Sequence, residues 1–265
     1  MDKLRINSFG RGASQDIERD RRIYESEGIE LDQQVTQSSK QQMQELVDGV
    51  WDVVHTNADN VFWWAHDRGA DIVIVLATPG RPNQDLVVRP DISRYEDLRG
   101  KMLAVDAAES GFATPLRLLL AENGLLKEDS DYRFVEVGAT GQRANALLSG
   151  QAFGAMIGAG QYPELREHGC KVLDTINRLF TNYAGSAAVR RSWARDHEEL
   201  LVRYLRAHLR STEAAASSGD SAPFFSWDGL QEMMDVRVRA GLIPAGTDVR
   251  PFANDTYFQT ALASL

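Results

Sequence analysis

Residues 44–60 read QELVDGVWDVVHTNADN, and residues 145–161 echo them as NALLSGQAFGAMIGAGQ. Each copy reads as an amphipathic helix stopped by a glycine, Gly49 or Gly150, then a short apolar strand, then a turn of small or polar residues. The copies stand about a hundred residues apart, far more than the ~20 to 50 residues of a solenoid repeat. The spacing therefore predicts two similar α/β lobes with a ligand between them.

Working outward, the first copy is preceded by Leu4 to Ser8, which alternates as a strand. A glycine-bearing turn and a helix from about Ser14 to Glu27 follow, then a strand from Ile29 to Val35. Ser38 or Ser39 caps the helix that carries Met43, Leu46 and Val47. After NADN a helix runs over 59–67 and Gly69 closes it. The near-continuous apolar run DIVIVLA, 71–77, has the composition of a strand buried on both faces of a parallel sheet. DLVVR follows, and the spacing of Ser93 and Glu96 suits a capping box.

The second lobe repeats this grammar: strand 102–106, helix 112–123, strand 132–137, helix 142–149 and strand 153–157. SAAVR at 186–190 resembles LVVR at 86–89, so these two segments are candidates for the crossings between lobes. Helices are expected over 192–216, 227–240 and 255–262, with SSGDSAP, 217–223, as a loop. The expected lobes are 1–86 plus 187–265, and 87–186.

Composition bounds the function. With 265 residues, 43% hydrophobic and 25% charged, the chain can bury a sizeable core. A net charge of −9 lacks the basic footprint that nucleic acid or an acidic membrane requires. No apolar run approaches the ~20 residues of a membrane span. Cys170 is alone, so no intrachain disulfide or cysteine cluster exists; it reads as a buried thiol. The histidines show no metal-ligand spacing, and no nucleophile elbow, HExxH or phosphate loop appears. Neither a metal nor a cofactor is expected.

Taken in order, LRINSFG, YESEGIEL, MQELVDGVWDVVHTNADN, RGADIVIVL, DLVVRPDISRYEDLRGKMLAVDAAESGFATPLRLLLAENGL and SAAVRRSWARDHEELLVRYLRAHLRS form an ordered set. That set resembles the type II periplasmic-binding-protein fold, in particular the substrate-binding proteins of nitrate, sulfonate and taurine ABC importers and their thiamine-precursor-binding relatives. The resemblance covers most of the chain to about Ala216. It implies two mostly parallel sheets flanked by helices and joined by a two-segment hinge, a small organic ligand, anionic or aromatic, and an ABC permease as partner of a monomer or weak dimer. One departure stands out: the acidic residue usual after the glycine, present as Asp52, is replaced by Phe153 in the second copy. The chain also opens on MDKLRINSF, without export-signal character. If Met1 is the native start the location is cytoplasmic; if a leader was removed it is periplasmic or lipid-anchored. The same fold includes cytoplasmic enzymes acting on small carboxylic acids.

In open α/β sheets ligands gather at the carboxyl ends of strands, where helix N-termini present free N–H groups. Five loops have that context: 9–13, 37–39, 56–60, 109–113 and 138–141. The expected ligand-binding residues are Phe9, Arg11, Gly12, Ser38, Asn57, Asp59, Asn60, Ser110, Gly111, Phe112 and Thr140. The small polar residues serve equally well as simple caps, and Arg11 as a solvated charge. Phe9, Phe112, Trp63 and Trp64 offer aromatic walls, although core packing is the stronger role for each tryptophan. Arg143, at a helix start, reads as solvated or paired with an acid. Were the chain a decarboxylase or lyase, His55, Asp59 or Glu109 would carry the proton, but His55 also reads as a satisfied structural histidine.

Overall fold

The computed structural model describes residues 1–10, 17–109, 111–215 and 224–265. Arg11, Gly12 and Ser110, and the loop expected at 217–223, lie outside the described residues. In chain order the strands and helices are β1 (Asp2–Ser8), α1 (Ile17–Ser26), β2 (Ile29–Val35), α2 (Ser39–Val47), β3 (Val53–Thr56), α3 (Ala58–Phe62), β4 (Ile72–Pro79), β5 (Gln84–Val88), β6 (Met102–Val105) and α4 (Ala113–Glu122). They continue with β7 (Arg133–Glu136), α5 (Thr140–Ser149), β8 (Gly154–Gly158), α6 (Tyr162–Glu167), β9 (Lys171–Thr175), β10 (Ala184–Arg190), α7 (Arg191–Asp196), α8 (Glu198–Ala215), α9 (Trp227–Arg239) and α10 (Thr256–Leu262).

Two five-stranded sheets result, ordered β2-β1-β3-β10-β4 and β7-β6-β8-β5-β9. The orders correspond position by position. In each, the three strands at one edge are parallel, and the fourth runs antiparallel to both of its neighbours. That fourth strand is exchanged: β5 follows β4 in the chain but enters the second sheet, and β10 follows β9 but returns to the first. The crossings therefore lie just before LVVR and SAAVR rather than within them. The expected lobe edges at 86/87 and 186/187 fall inside β5 and β10. Both exchanged strands carry a register irregularity at matching places, between Leu86 and Val87 and between Ala187 and Ala188.

The opening echo is the symmetric centre of this arrangement. Helices α2 and α5 end at Gly49 and Gly150, with φ of 81° and 80°, a left-handed conformation that costs side-chain-bearing residues ~1–2 kcal/mol. Space adds a second reason for glycine. A Cβ on Gly49 would stand 2.5 Å from Arg190 Nη1, and one on Gly150 would stand 2.6 Å from Arg89 Nη1. These are the arginines that close the two exchanged strands. Arg190 Nη1 donates to Leu46 O at 3.0 Å, where a cation meets the negative end of the α2 dipole. Leu46 and Leu147 are buried at equivalent points, each contributing ~1.5–3 kcal/mol of apolar burial.

Three local expectations change, and the core role expected of the two tryptophans holds. The helix expected over 192–216 breaks at His197, whose ring stacks on Trp193 with centroids 5.0 Å apart while its Nδ1 lies 3.0 Å from Trp193 O. The new helix then starts with Glu198 and Glu199, acids favourable at an N-terminus. At 93–97 the closing acid is Asp97 rather than Glu96: its carboxylate accepts from Ser93 N at 2.9 Å and Arg94 N at 3.2 Å. Trp63 and Trp64 are both buried, in a π-helical turn from Trp63 to Asp67, with their rings edge to face and the Arg68 guanidinium over each. The wider turn changes the angle between successive side chains, so neither ring reaches solvent or the cleft. Finally, α6 and β9 extend the second sheet in a stretch where the sequence signals no element. Among the described residues no helix is long and apolar enough to cross a membrane.

Candidate functional site

Because β1, β3, β6 and β7 all point their carboxyl ends toward the junction, the loops that follow them converge there. They enclose one continuous cavity of about 930 Å3. Contacts between the lobes flank it on two sides. On one flank Ala139 N donates to Gln37 O at 2.8 Å, Gln142 Nε2 to Gln37 Oε1 at 2.9 Å, and Ser39 N to the Asp106 carboxylate at 3.0 Å. On the other, Thr114 Oγ1 donates to Asp59 Oδ2 at 2.7 Å and Arg237 Nη1 to Glu109 O at 3.1 Å.

Of the expected residues, Phe9, Asn57, Asn60, Gly111, Phe112 and Thr140 line the cavity. Asn57 does two things at once: its Oδ1 caps α3 by accepting from Asp59 N at 2.9 Å, and its Nδ2 donates to Tyr183 Oη at 3.3 Å. Asn60 is buried, donates to Thr56 Oγ1 at 2.8 Å, and keeps an unpaired Oδ1. Gly111 has φ of 62°, and a Cβ there would stand 3.1 Å from that same Oδ1. The backbone at this point lies close against the cavity wall because no side chain intervenes.

Three expected residues lie elsewhere. Ser38 caps α2, accepting from Gln41 N at 3.3 Å, because its loop is pinned to the second lobe rather than open to the cleft. Glu109 is exposed and does not line the cavity; among the described residues its carbonyl is engaged, by Arg237. Asp59 is buried beneath the cleft, where it accepts from Thr114 and pairs with the equally buried Arg237 at 3.2 Å. Burial pushes the Asp59 carboxyl upward, and Arg237 opposes that push. A carboxylate held by a guanidinium and a hydroxyl is a strut between lobes rather than a free proton carrier.

The structure also places in the wall residues that the sequence left out. Arg143 is 4% exposed, against the expectation of a solvated or paired charge. Its Nε donates to Met156 O at 2.8 Å, Nη1 to Gly138 O at 3.3 Å and Nη2 to Thr140 Oγ1 at 2.9 Å. It forms no ion pair among the described residues. Burial lowers its pKa to about 10, partly opposed by Asp106, so it remains cationic at neutral pH. A guanidinium has five N–H donors, and three hydrogen bonds leave capacity for an anion.

Behind the first sheet the cavity continues under α1. Here His55 Nε2 stands 2.5 Å from Tyr204 Oη, His55 and His208 rings lie 5.1 Å apart, and Tyr24 Oη stands 3.4 Å from His208 Nδ1. Burial lowers the His55 pKa to about 3 and that of His208 to about 4, so both are neutral imidazoles at physiological pH. Tyr204 and His208 stand one turn apart on the apolar stripe of α8. That signal, polar aromatics inside a buried face, was available in the sequence.

The NMT1/THI5-like family profile matches residues 18–222 of the chain. A search by sequence among curated proteins finds no match. Among solved structures, the nitrate-binding protein NrtA of Synechocystis PCC 6803 superposes with a TM-score of 0.79 at 12% identity, covering 99% of this chain and 89% of that one. The alkanesulfonate-binding protein SsuA of Xanthomonas axonopodis pv. citri, bound to MOPS, gives 0.71 at 18% identity, covering 95% and 98%. The desulfurization enzyme DSZB gives 0.63 at 16%, covering 100% and 99%. At these identities the likeness is one of fold.

Proposed function

This chain belongs to the NMT1/THI5-like family, and from that premise we propose that it is a solute-binding protein that captures a small organic anion between its lobes for ABC-type uptake. The observation that carries this reading is Arg143: a buried guanidinium, unpaired with any carboxylate among the described residues, in the wall of the interlobe cavity. A buried charge is costly unless compensated, and a bound carboxylate or sulfonate supplies the compensation in two-pronged geometry. The cleft adds acceptors at Asn60 Oδ1 and Gln84 Oε1, both unpaired, which suit a hydroxyl or N–H on the same ligand.

Capture works by closure. The contacts at Gln37, Asp106 and Asp59 cross from lobe to lobe, and a ligand favours the closed form only through contacts it makes there and not in the open one. The two connections that precede β5 and β10 are the hinge. The closed, loaded form is what an ABC permease would receive, on the extracytoplasmic side. An enzyme is the weaker reading, because its proton carriers are dispersed: Glu109 faces outward, Asp59 is locked by Arg237, and His55 is bonded to Tyr204.

The test is a thermal-shift and native mass-spectrometry screen of the full chain against sulfonates, aromatic carboxylates and pyrimidines. A specific ligand at a hundred times its Kd adds ~2.7 kcal/mol, or a rise of about 5–11 °C for a chain of this size. Absence of any shift with organic anions, or undiminished binding by Arg143→Gln, would overturn the proposal.

A further inference from the structure

The cavity is out of proportion to a simple oxyanion. At about 930 Å3 it stands at the top of the ~300–1,000 Å3 range of small-molecule sites. It also has two chemically distinct parts. The cleft part, at Arg143, Asn60 and Thr140, is polar and carries the buried cation. The other part passes Ser8 and runs between α1 and the first sheet to α8, lined by Ile6, Leu31 and Leu76 and closed by the aromatic group of Tyr24, His55, Tyr204 and His208.

This inner chamber is not suited to a second charge. Its polar atoms are largely committed to one another, His55 to Tyr204 and Tyr24 to His208, while Ser211 Oγ donates to Asp20 at 2.7 Å. Its imidazoles hold no charge to balance an acid, and at its exposed outer rim the one guanidinium among the described residues, Arg21, faces Glu25 at 3.6 Å with Glu30 nearby. What remains is an apolar slot ending in flat aromatic edges, where an aromatic ring finds stacked and edge-on partners.

We infer that the ligand has two parts: an acid group held by Arg143 in the cleft, and a neutral, planar aromatic or heteroaromatic tail reaching past Ser8 into the chamber at His55 and His208. This rests on the solute-binding reading above and narrows its ligand class to elongated aryl acids. Short anions make only the first set of contacts.

The experiment compares methanesulfonate and benzoate with naphthalene-2-sulfonate and biphenyl-4-carboxylate by calorimetry on the full chain. The tailed acids are expected to bind at least tenfold more tightly than the short ones. In parallel, the imidazole NMR signals of His55 and His208, assigned by His55→Gln and His208→Gln, should shift with the tailed acids and stay still with the short ones. Leu31→Trp, which fills the chamber, should abolish the tail's advantage over the short acids. The NMR comparison uses the unmodified protein, so it decides the matter even if Leu31→Trp does not fold. Equal affinities for short and tailed acids, or tailed binding without movement of the His55 and His208 signals, would overturn the two-part ligand while leaving anion capture intact. Binding of none of the four acids would remove both.

Discussion

Replacing Arg237 by Met should destabilise the protein by about 3–5 kcal/mol, the cost of leaving one partner of a buried ion pair uncompensated. The structure explains why the cost lies in that range. Asp59 and Arg237 side chains are 5% and 2% exposed. With the guanidinium gone, Asp59 keeps the Thr114 hydroxyl and its own helix start as donors among the described residues. For a chain of this length ~3–5 kcal/mol lowers the melting midpoint by about 6–20 °C. The deficit should depend on pH in a defined direction. Without Arg237 the folded-state pKa of Asp59 is raised above its unfolded value, so the folded form binds the proton more readily. Stability in the variant is therefore greatest below the ordinary carboxylate range and is lost as pH rises through the raised pKa. Urea denaturation at pH 7 and at about pH 4.5 measures this, and the gap from wild type should narrow at the lower pH. Asp59→Asn added to Arg237→Met removes the stranded charge and should recover at least half of the loss. A single-variant deficit below about 1 kcal/mol, or a double variant no more stable than the single, would refute the strut assigned to this pair.

Other consequences are more local. Gly49→Ala and Gly150→Ala should each cost about 2–4 kcal/mol, from the left-handed backbone and the displaced arginine. Gly241→Ala, with φ of 73° but open space around it, should cost only the ~1–2 kcal/mol backbone part; equal costs in urea melts would contradict the role of Arg190 and Arg89. Because burial lowers the folded-state pKa of His55 and His208 to about 3 and about 4, their stabilising contribution is present above the unfolded value near 6.5 and is lost as pH falls below it. The slope lies below about 1.4 kcal/mol per pH unit per histidine, and His208→Gln should flatten it in melts between pH 6.5 and 4.5. Cys170 is 6% exposed and burial raises its thiol pKa, so a chromogenic disulfide should label it only at the rate of unfolding; fast labelling of the native protein would show the site to be open.

The parts of this fold legible in the sequence were those written locally. A helix with an apolar face, a glycine that must turn left-handed and an apolar strand leave a signature within one short window, so the echo at 44–60 and 145–161 located the centre of both lobes. Exchange of β5 and β10 left no such mark. LVVR and SAAVR were visibly alike, but which sheet each joins depends on partners a hundred residues away. The site divided along the same line. Cap and turn residues such as Asn57, Gly111 and Thr140 were legible because a helix start requires them whether or not a ligand is present. Arg143 was not, since a charge at a helix start is ordinarily solvated and only tertiary packing buries it. Glu109 misled for the converse reason: its loop turns the backbone inward and the carboxylate outward.

The departure at Phe153 shows how a mismatch between copies can be resolved by register. Asp52 follows Gly49 and pairs with Arg5, with Nη2 to Oδ1 at 2.6 Å and the backbone Arg5 N to Oδ2 at 2.9 Å. The equivalent of Arg5 in the second sheet is Met102: Asp52 N donates to Arg5 O at 3.0 Å, and Phe153 N to Met102 O at 2.8 Å. With no arginine opposite, an acid at 153 would have lost its partner. Phe153 instead lies under two cations, Lys101 Nζ at 4.5 Å and the Arg89 guanidinium at 5.1 Å. Arg89 is the same residue whose head crowds Gly150. In the first lobe an ion pair anchors the strand after the helix, and in the second a cation over an aromatic face does, so the backbone path repeats while the chemistry that holds it does not.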